Sequence, residues 1–99
     1  MKFSFELLDR PEKNRYEVEV DGRTAHVEYI LNKNGVIYLT HTEVPREMEG
    51  RGIASEMLKV IMKDIESREL SLIPICPFVK TYLSRHPEWK KLLDEHHKF

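Results

Sequence analysis

Ninety-nine residues, 40% of them hydrophobic and 33% charged, suffice for one globular domain around one core and are too few for two. A net charge of −1 with acidic and basic residues interleaved leaves no basic footprint for nucleic acid or an anionic membrane, and no run approaches the ~18 apolar residues of a membrane span. The single cysteine, Cys76, excludes an internal disulfide, and the adjacent His96-His97 lack the spacing of zinc ligands, so no structural metal is expected.

Glu6 follows Met1-Lys2-Phe3-Ser4-Phe5 where a secretion signal would stay apolar, and a cytoplasmic protein, monomeric and with residues 1–99 as one domain, is expected. Phe3, Phe5 and Leu7 alternate with polar residues and predict a short strand, followed by a loop over Arg10-Pro11-Glu12-Lys13-Asn14. The charges from Asp9 to Lys13 read as an exposed run. Tyr16, Val18 and Val20 alternate with Glu17 and Glu19, and Asp21-Gly22 supplies a tight hairpin turn. Ala25, Val27, Tyr29 and Leu31 form one face of the next strand, and Asn34-Gly35 turns the chain into a third over 36–42.

From Ile53 the apolar period changes to that of a helix, through Met57/Leu58 and Ile61/Met62 to Ile65. Ser71 to Ile75 is too short for a helix, and its proline suits the edge or end of a strand. Pro77 and Pro87 each stand where a helix begins, predicting short helices over about 77–85 and 87–96, the second anchored on the core by Trp89. The sum is an α+β layered architecture: an antiparallel meander, a central amphipathic helix, a further strand parallel to the one ending near Thr42, and a helical tail.

Between the meander and the helix lies Glu49-Gly50-Arg51-Gly52-Ile53-Ala54. Two glycines one residue apart let a turn present successive N–H groups, and a helix start adds unpaired donors and a positive dipole end, which together favour phosphate. A plain strand-to-helix turn would also use glycine for its dihedrals alone. No lysine and hydroxyl follow Gly52 as a nucleoside-triphosphate loop requires, and Ser55 stands where a dinucleotide fingerprint has its third glycine. A diphosphate held by amides without metal, as in coenzyme A, is what remains.

Here the chain resembles the GNAT acetyltransferase superfamily, whose acyl-CoA motif is usually written [Q/R]-x-x-G-x-[G/A]. Gly50 and Gly52 match its small positions, while Glu47 departs from the usual glutamine or arginine. The closer resemblance is to very small GNAT-like proteins, through His41-Thr42-Glu43-Val44-Pro45, Glu49 to Gly52, Cys76-Pro77-Phe78-Val79, and Tyr82 with Arg85-His86-Pro87-Glu88-Trp89. It implies a compact fold that binds acetyl-CoA between two splayed strands. The pantetheine would pair with the strand ending at Glu43-Val44, where a β-bulge would fit, and the diphosphate would lie against Met48, Glu49, Gly50, Arg51, Gly52, Ile53 and Ala54. Phe78 and Tyr82 would be pocket walls.

Cys76, before Pro77, would face free helix donors that lower a thiol pKa, which makes it a candidate nucleophile or acid; a small buried hydrophobe is the alternative. Glu43 and His41, two apart on a strand, share a face if no bulge intervenes, and Glu43 is the candidate base for an acceptor ammonium. The expected function is transfer of acetyl from acetyl-CoA to an amine or other small nucleophile. The alternatives are a CoA-binding adaptor without turnover or a thiol sensor.

Overall fold

The computed structural model describes residues 6–20, 22–50 and 52–94, the Met48 side chain excepted. A five-stranded sheet in the order β1 (Leu8–Arg10), β2 (Arg15–Val20), β3 (Arg23–Leu31), β4 (Val36–Glu43), β5 (Ser71–Pro74) is antiparallel except at β4–β5, which is parallel. Helix α1 (Ile53–Ser67) makes the crossover, and α2 (Pro77–Arg85) follows β5. This is the α+β layering expected. The β2–β3 and β3–β4 hairpins use glycine in the left-handed region, Gly22 at φ 76° and Gly35 at φ 79°.

The period-2 residues Tyr16, Val18, Ala25, Val27, Ile37, Leu39 and Leu72 meet the stripe Ile53, Met57, Leu58, Ile61, Met62 and Ile65 of α1 in one core. Met57 and Met62 are fully buried, as their helical spacing implies. The opposite face of the sheet carries Arg15, Glu17, His26, Glu28, Tyr38 and Ile73, none of them wholly buried, and no described element packs across it. Glu17 is the polar exception at 8% exposure. Burial works to raise its carboxyl, but the hydrogen bond and charge of Arg15, aided by Lys13 and Arg10, outweigh it and the net direction is down.

Several expectations need correction. Phe3 and Phe5 lie outside the described residues; the first described strand is Leu8–Arg10, so Arg10 belongs to a strand and not to a loop, because its backbone pairs with Arg15. Pro11–Lys13 is a 3-10 turn closed by Asn14 at φ 55°. Asp9 is not a solvated charge: it accepts hydrogen bonds from Tyr29 and Arg68. Leu31 is 39% exposed, since it sits at the hairpin end of β3. The last helix is a 3-10 segment over Pro87–Leu92, which ends when Leu93 turns extended and bridges to Leu72 at the outer edge of β5. His96, His97 and Lys98 lie outside the described residues.

Candidate active site

Pairing of β4 with β5 runs from Val36↔Ser71 to Leu39↔Pro74 and stops. The amides of Ile75 and Cys76 both donate to the Leu39 carbonyl, at 3.0 Å each, which closes the ladder and turns the chain into α2. From Thr40 onward β4 continues along β3 alone, so its other edge faces a gap. A bulge marks the same point: Glu28 pairs with His41 but Tyr29 pairs with Leu39, leaving Thr40 as the extra residue. The bulge was expected near Glu43-Val44, three residues later. Its position is decisive because a one-residue slip exchanges the faces of everything downstream.

Because of that exchange, Thr42 points to the helix side, where Cys76 Sγ donates to its Oγ1 at 3.5 Å. His41 and Glu43 share the opposite, open face, with Nε2 and Oε1 3.1 Å apart. The gap is therefore flanked by a thiol on one side and by a carboxylate–imidazole pair on the other. Cys76 is the N-cap of α2 with Pro77 in the first turn, yet its side chain makes no cap hydrogen bond and is 5% exposed. It turns toward Thr42 instead of the helix donors, correcting the expected orientation.

At the end of the gap a cleft of about 390 Å³ takes its walls from Thr42, Glu43 and Val44, from the corner residues Glu49, Gly50 and Gly52, and from Phe78. Ile53, Ala54 and Ser55 at the start of α1 complete it. Thr42 and Ser55 were not singled out from the sequence; their hydroxyls carry no motif and only the bulge and the helix start bring them here. Gly50 and Gly52 adopt φ 82° and φ 78°, a region side chains rarely enter, and a Cβ on Gly50 would point into open space. The Gly52 carbonyl accepts from Glu56 to open the helix. Among the described residues no backbone carbonyl accepts from the amides of Gly50, Gly52, Ile53, Ala54 or Ser55. Glu47 is turned away to Arg23 at 3.2 Å. Arg51 lies outside the described residues, as does the side chain of Met48, the last residue of the 3-10 turn Arg46–Met48 that the Glu49 amide closes by donating to the Arg46 carbonyl.

The cleft fits an extended anion such as a CoA thioester: donors at a positive helix end that no described carbonyl occupies, glycines that leave room, and a strand edge without a described partner strand leading to Cys76. Two carboxylates on the walls oppose it, that of Glu43 on the strand side and that of Glu49 at the corner. Glu49 puts a carboxylate on the wall, and Glu49→Gln should tighten CoA binding about threefold at low salt, an effect that fades as salt is added; calorimetry across ionic strength checks this.

Tyr82 is elsewhere. It is 5% exposed, its ring stacks on His86 with centroids 4.3 Å apart, and it lines a second cleft with Trp89. Burial raises its phenol pKa, as does the charge of Glu88, against a hydrogen bond from Trp89 that lowers it. No group of three or more His, Cys, Asp or Glu among the described residues is arranged to hold a metal ion, and no described helix is long and apolar enough to cross a membrane.

The sequence model of the family described as GCN5-related N-acetyl-transferase matches residues 15–92. Protein NATD1 of Xenopus tropicalis is 33% identical over 60 residues, which cover 61% of this chain and 53% of that protein. The match thus spans about half the length of that relative. The solution NMR structure of a GCN5-like candidate N-acetyltransferase from Staphylococcus aureus superposes with a TM-score of 0.68 at 25% identity, over 93% of each chain.

Proposed function

The chain belongs to the GCN5-related N-acetyltransferase family, and from that premise we propose that it binds acetyl-CoA in the cleft between β4 and the start of α1 and transfers acetyl to an amine. The single observation that carries this is the coincidence of the β4–β5 splay with a helix start whose amides have no described carbonyl partner. When bound, acetyl-CoA supplies an activated acyl group as a thioester.

The residues of the chain then divide the work. Amides of Gly50 and of Gly52 to Ser55 hold the diphosphate, with the dipole of α1 behind them. The free edge of β4 at Thr42 to Val44 orients the amide-bearing arm as an added strand would. Phe78, 39% exposed at the cleft, covers the arm and excludes water. Cys76 holds a proton at Sγ on the helix side, kept in place by Thr42 Oγ1. Glu43, oriented by His41, accepts a proton on the open side, where an ammonium can approach; an amine must be neutral to attack.

The test is calorimetry with CoA and acetyl-CoA together with acetyl transfer to a panel of amines. Binding in the micromolar range and acceptor-dependent CoA release are expected; no binding at millimolar ligand ends the proposal. Glu43→Gln should lower kcat/KM about a hundredfold with little change in donor affinity. A thiol-sensing role would need an accessible sulfur, and Cys76 at 5% exposure does not offer one.

A further inference from the structure

β3, β4 and β5 carry an apolar row across the face of the sheet opposite α1. Ile30 pairs with Tyr38 and Tyr38 with Ile73, so the three side chains stand side by side and span about 10 Å, two strand spacings. Ile30 is 59% exposed, and Ile75, which follows β5 where the gap opens, is 48% exposed. A lone exposed isoleucine is ordinary, but a paired row on one face is a patch of the kind that marks a contact surface. Toward the gap the next row on this face is Glu28 opposite His41, and the one after it His26 opposite Glu43. The apolar surface therefore gives way to two exposed carboxylates, those of Glu28 and Glu43, within about 13 Å of strand.

We propose that this face docks the acceptor, and that the acceptor is a polypeptide N-terminus with an apolar side chain at its second to fourth residue. The inference rests on the acetyl-transfer reading above. Cys76, held by Thr42, and the packed core close the helix side of the gap, so an amine reaches the acyl group from the open side, over Glu43 and His41. The apolar row is continuous with that approach and lies about 7 to 13 Å back along the strands, two to four residues of extended chain. An ammonium complements the carboxylates, and an apolar side chain complements the row. A small amine would be touched from one side only on a face that no described element covers, whereas small-molecule sites enclose most of their ligand; a peptide brings a second side of its own. An α-ammonium titrates at ~8 and a lysine at ~10.4, so the exposed Glu43–His41 pair more readily frees a chain terminus for attack. The ammonium loses one proton to Glu43, and the nitrogen forms the amide bond to the acetyl carbon as the thioester C–S bond breaks. The second nitrogen proton leaves with the sulfur, so the products are an N-acetyl peptide, the CoA thiol and the proton that Glu43 returns to solvent.

The probes are short peptides of alanine and serine with a free α-amine, one with leucine at its third position and one with serine there. Beside them stand the leucine peptide N-formylated and carrying one lysine, and ethylamine. Acetyl transfer is followed as thiol release, with kcat and KM separated. The leucine peptide should exceed the serine peptide about tenfold in kcat/KM, mostly through KM, which is the scale of one apolar side chain partly buried. Ile30→Ser should bring that ratio to about twofold and Ile30→Leu should restore it; Ile73→Thr on the neighbouring strand repeats the test should Ile30→Ser not fold. Equal turnover of the two peptides, or a ratio unmoved by both variants, refutes the row. Turnover confined to the lysine peptide or to ethylamine refutes the chain terminus as acceptor while acetyl transfer stands. A parent dimer that Ile30→Ser dissociates in sedimentation makes a second copy the occupant and refutes the docking as well. If acetyl-CoA binds and none of the amines is acetylated, the transfer reading has failed and this one falls with it.

Discussion

Gly50→Asp should weaken CoA binding about a hundredfold while costing the fold only about 1 kcal/mol. Gly50 sits at φ 82° with nothing within 4 Å of where a Cβ would stand, so the backbone meets strain but no clash. The stability cost corresponds to a Tm lower by about 5 °C in a domain of this size. The binding cost is larger because the new carboxylate faces the anion that the amides of Gly52 to Ser55 would hold; two like charges a few ångströms apart at a protein surface repel by about 3 kcal/mol before screening. Gly35→Asp is the matched control. Gly35 has nearly the same dihedral, φ 79°, and its Cβ would meet Leu70 Cδ2 at an ordinary 3.9 Å, but it lies in the β3–β4 turn away from the cleft. It should lose the same few degrees and bind CoA within twofold of the parent. Equal affinity for both variants would show that no anion sits at the corner, and the loss should shrink as salt is raised if its origin is charge.

The elements of the sheet and helices were legible in the residues, and the reasons are local. Asn34-Gly35 demands a left-handed turn, Pro77 demands a helix start, and the change of apolar period at Ile53 has no other reading. The splay of β4 from β5 was implied only by resemblance. The bulge at Thr40 left no trace in the pattern, since Val36 to Thr42 is a run of good strand formers on either register. That single residue decides which side of the gap receives Cys76 and which receives Glu43. The second cleft was invisible for a different reason: Ser55, Glu56 and Lys59 read as the solvated face of an amphipathic helix, and only the return of the chain through α2 sets an aromatic wall opposite them. The strand at Leu8–Arg10 was not read from the sequence because its pairing with β2 is a property of two segments, while alternation is a property of one.

The same limit hid the polar fastening at the far end of α1, where Asp64→Ala should destabilise the protein by about 3 kcal/mol and lower Tm by about 15 °C. Tyr16, with no exposed surface, donates its hydroxyl to Asp64 Oδ2 at 2.9 Å. Tyr29 packs beside it, ring centroids 5.1 Å apart, and donates to Asp9 Oδ1 at 2.6 Å. Arg68, one residue beyond α1, donates to both carboxylates at 3.2 Å and so ties β1, β2 and β3 to the helix. Removing the Asp64 carboxylate leaves a buried phenol without its acceptor, which carries most of the cost; the half-exposed Arg68 pair adds under about 1 kcal/mol. Tyr16→Phe in the Asp64→Ala background should recover part of the loss, because the orphaned hydroxyl is then gone. The phenols also set an alkaline limit. Burial first, then the hydrogen bonds to Asp64 and Asp9, raise the pKa of both tyrosines above the ordinary value of 10.0. A group whose pKa is raised by folding contributes its full stability below the unfolded pKa and loses it as pH climbs toward the folded one. Urea denaturation midpoints should therefore hold up to pH ~10 and fall beyond it, more gently in Tyr16→Phe. A flat profile to pH ~11.5, or an Asp64→Ala variant as stable as the parent, would mean that these groups are hydrated in solution and that packing of α1 alone holds the helix to the sheet.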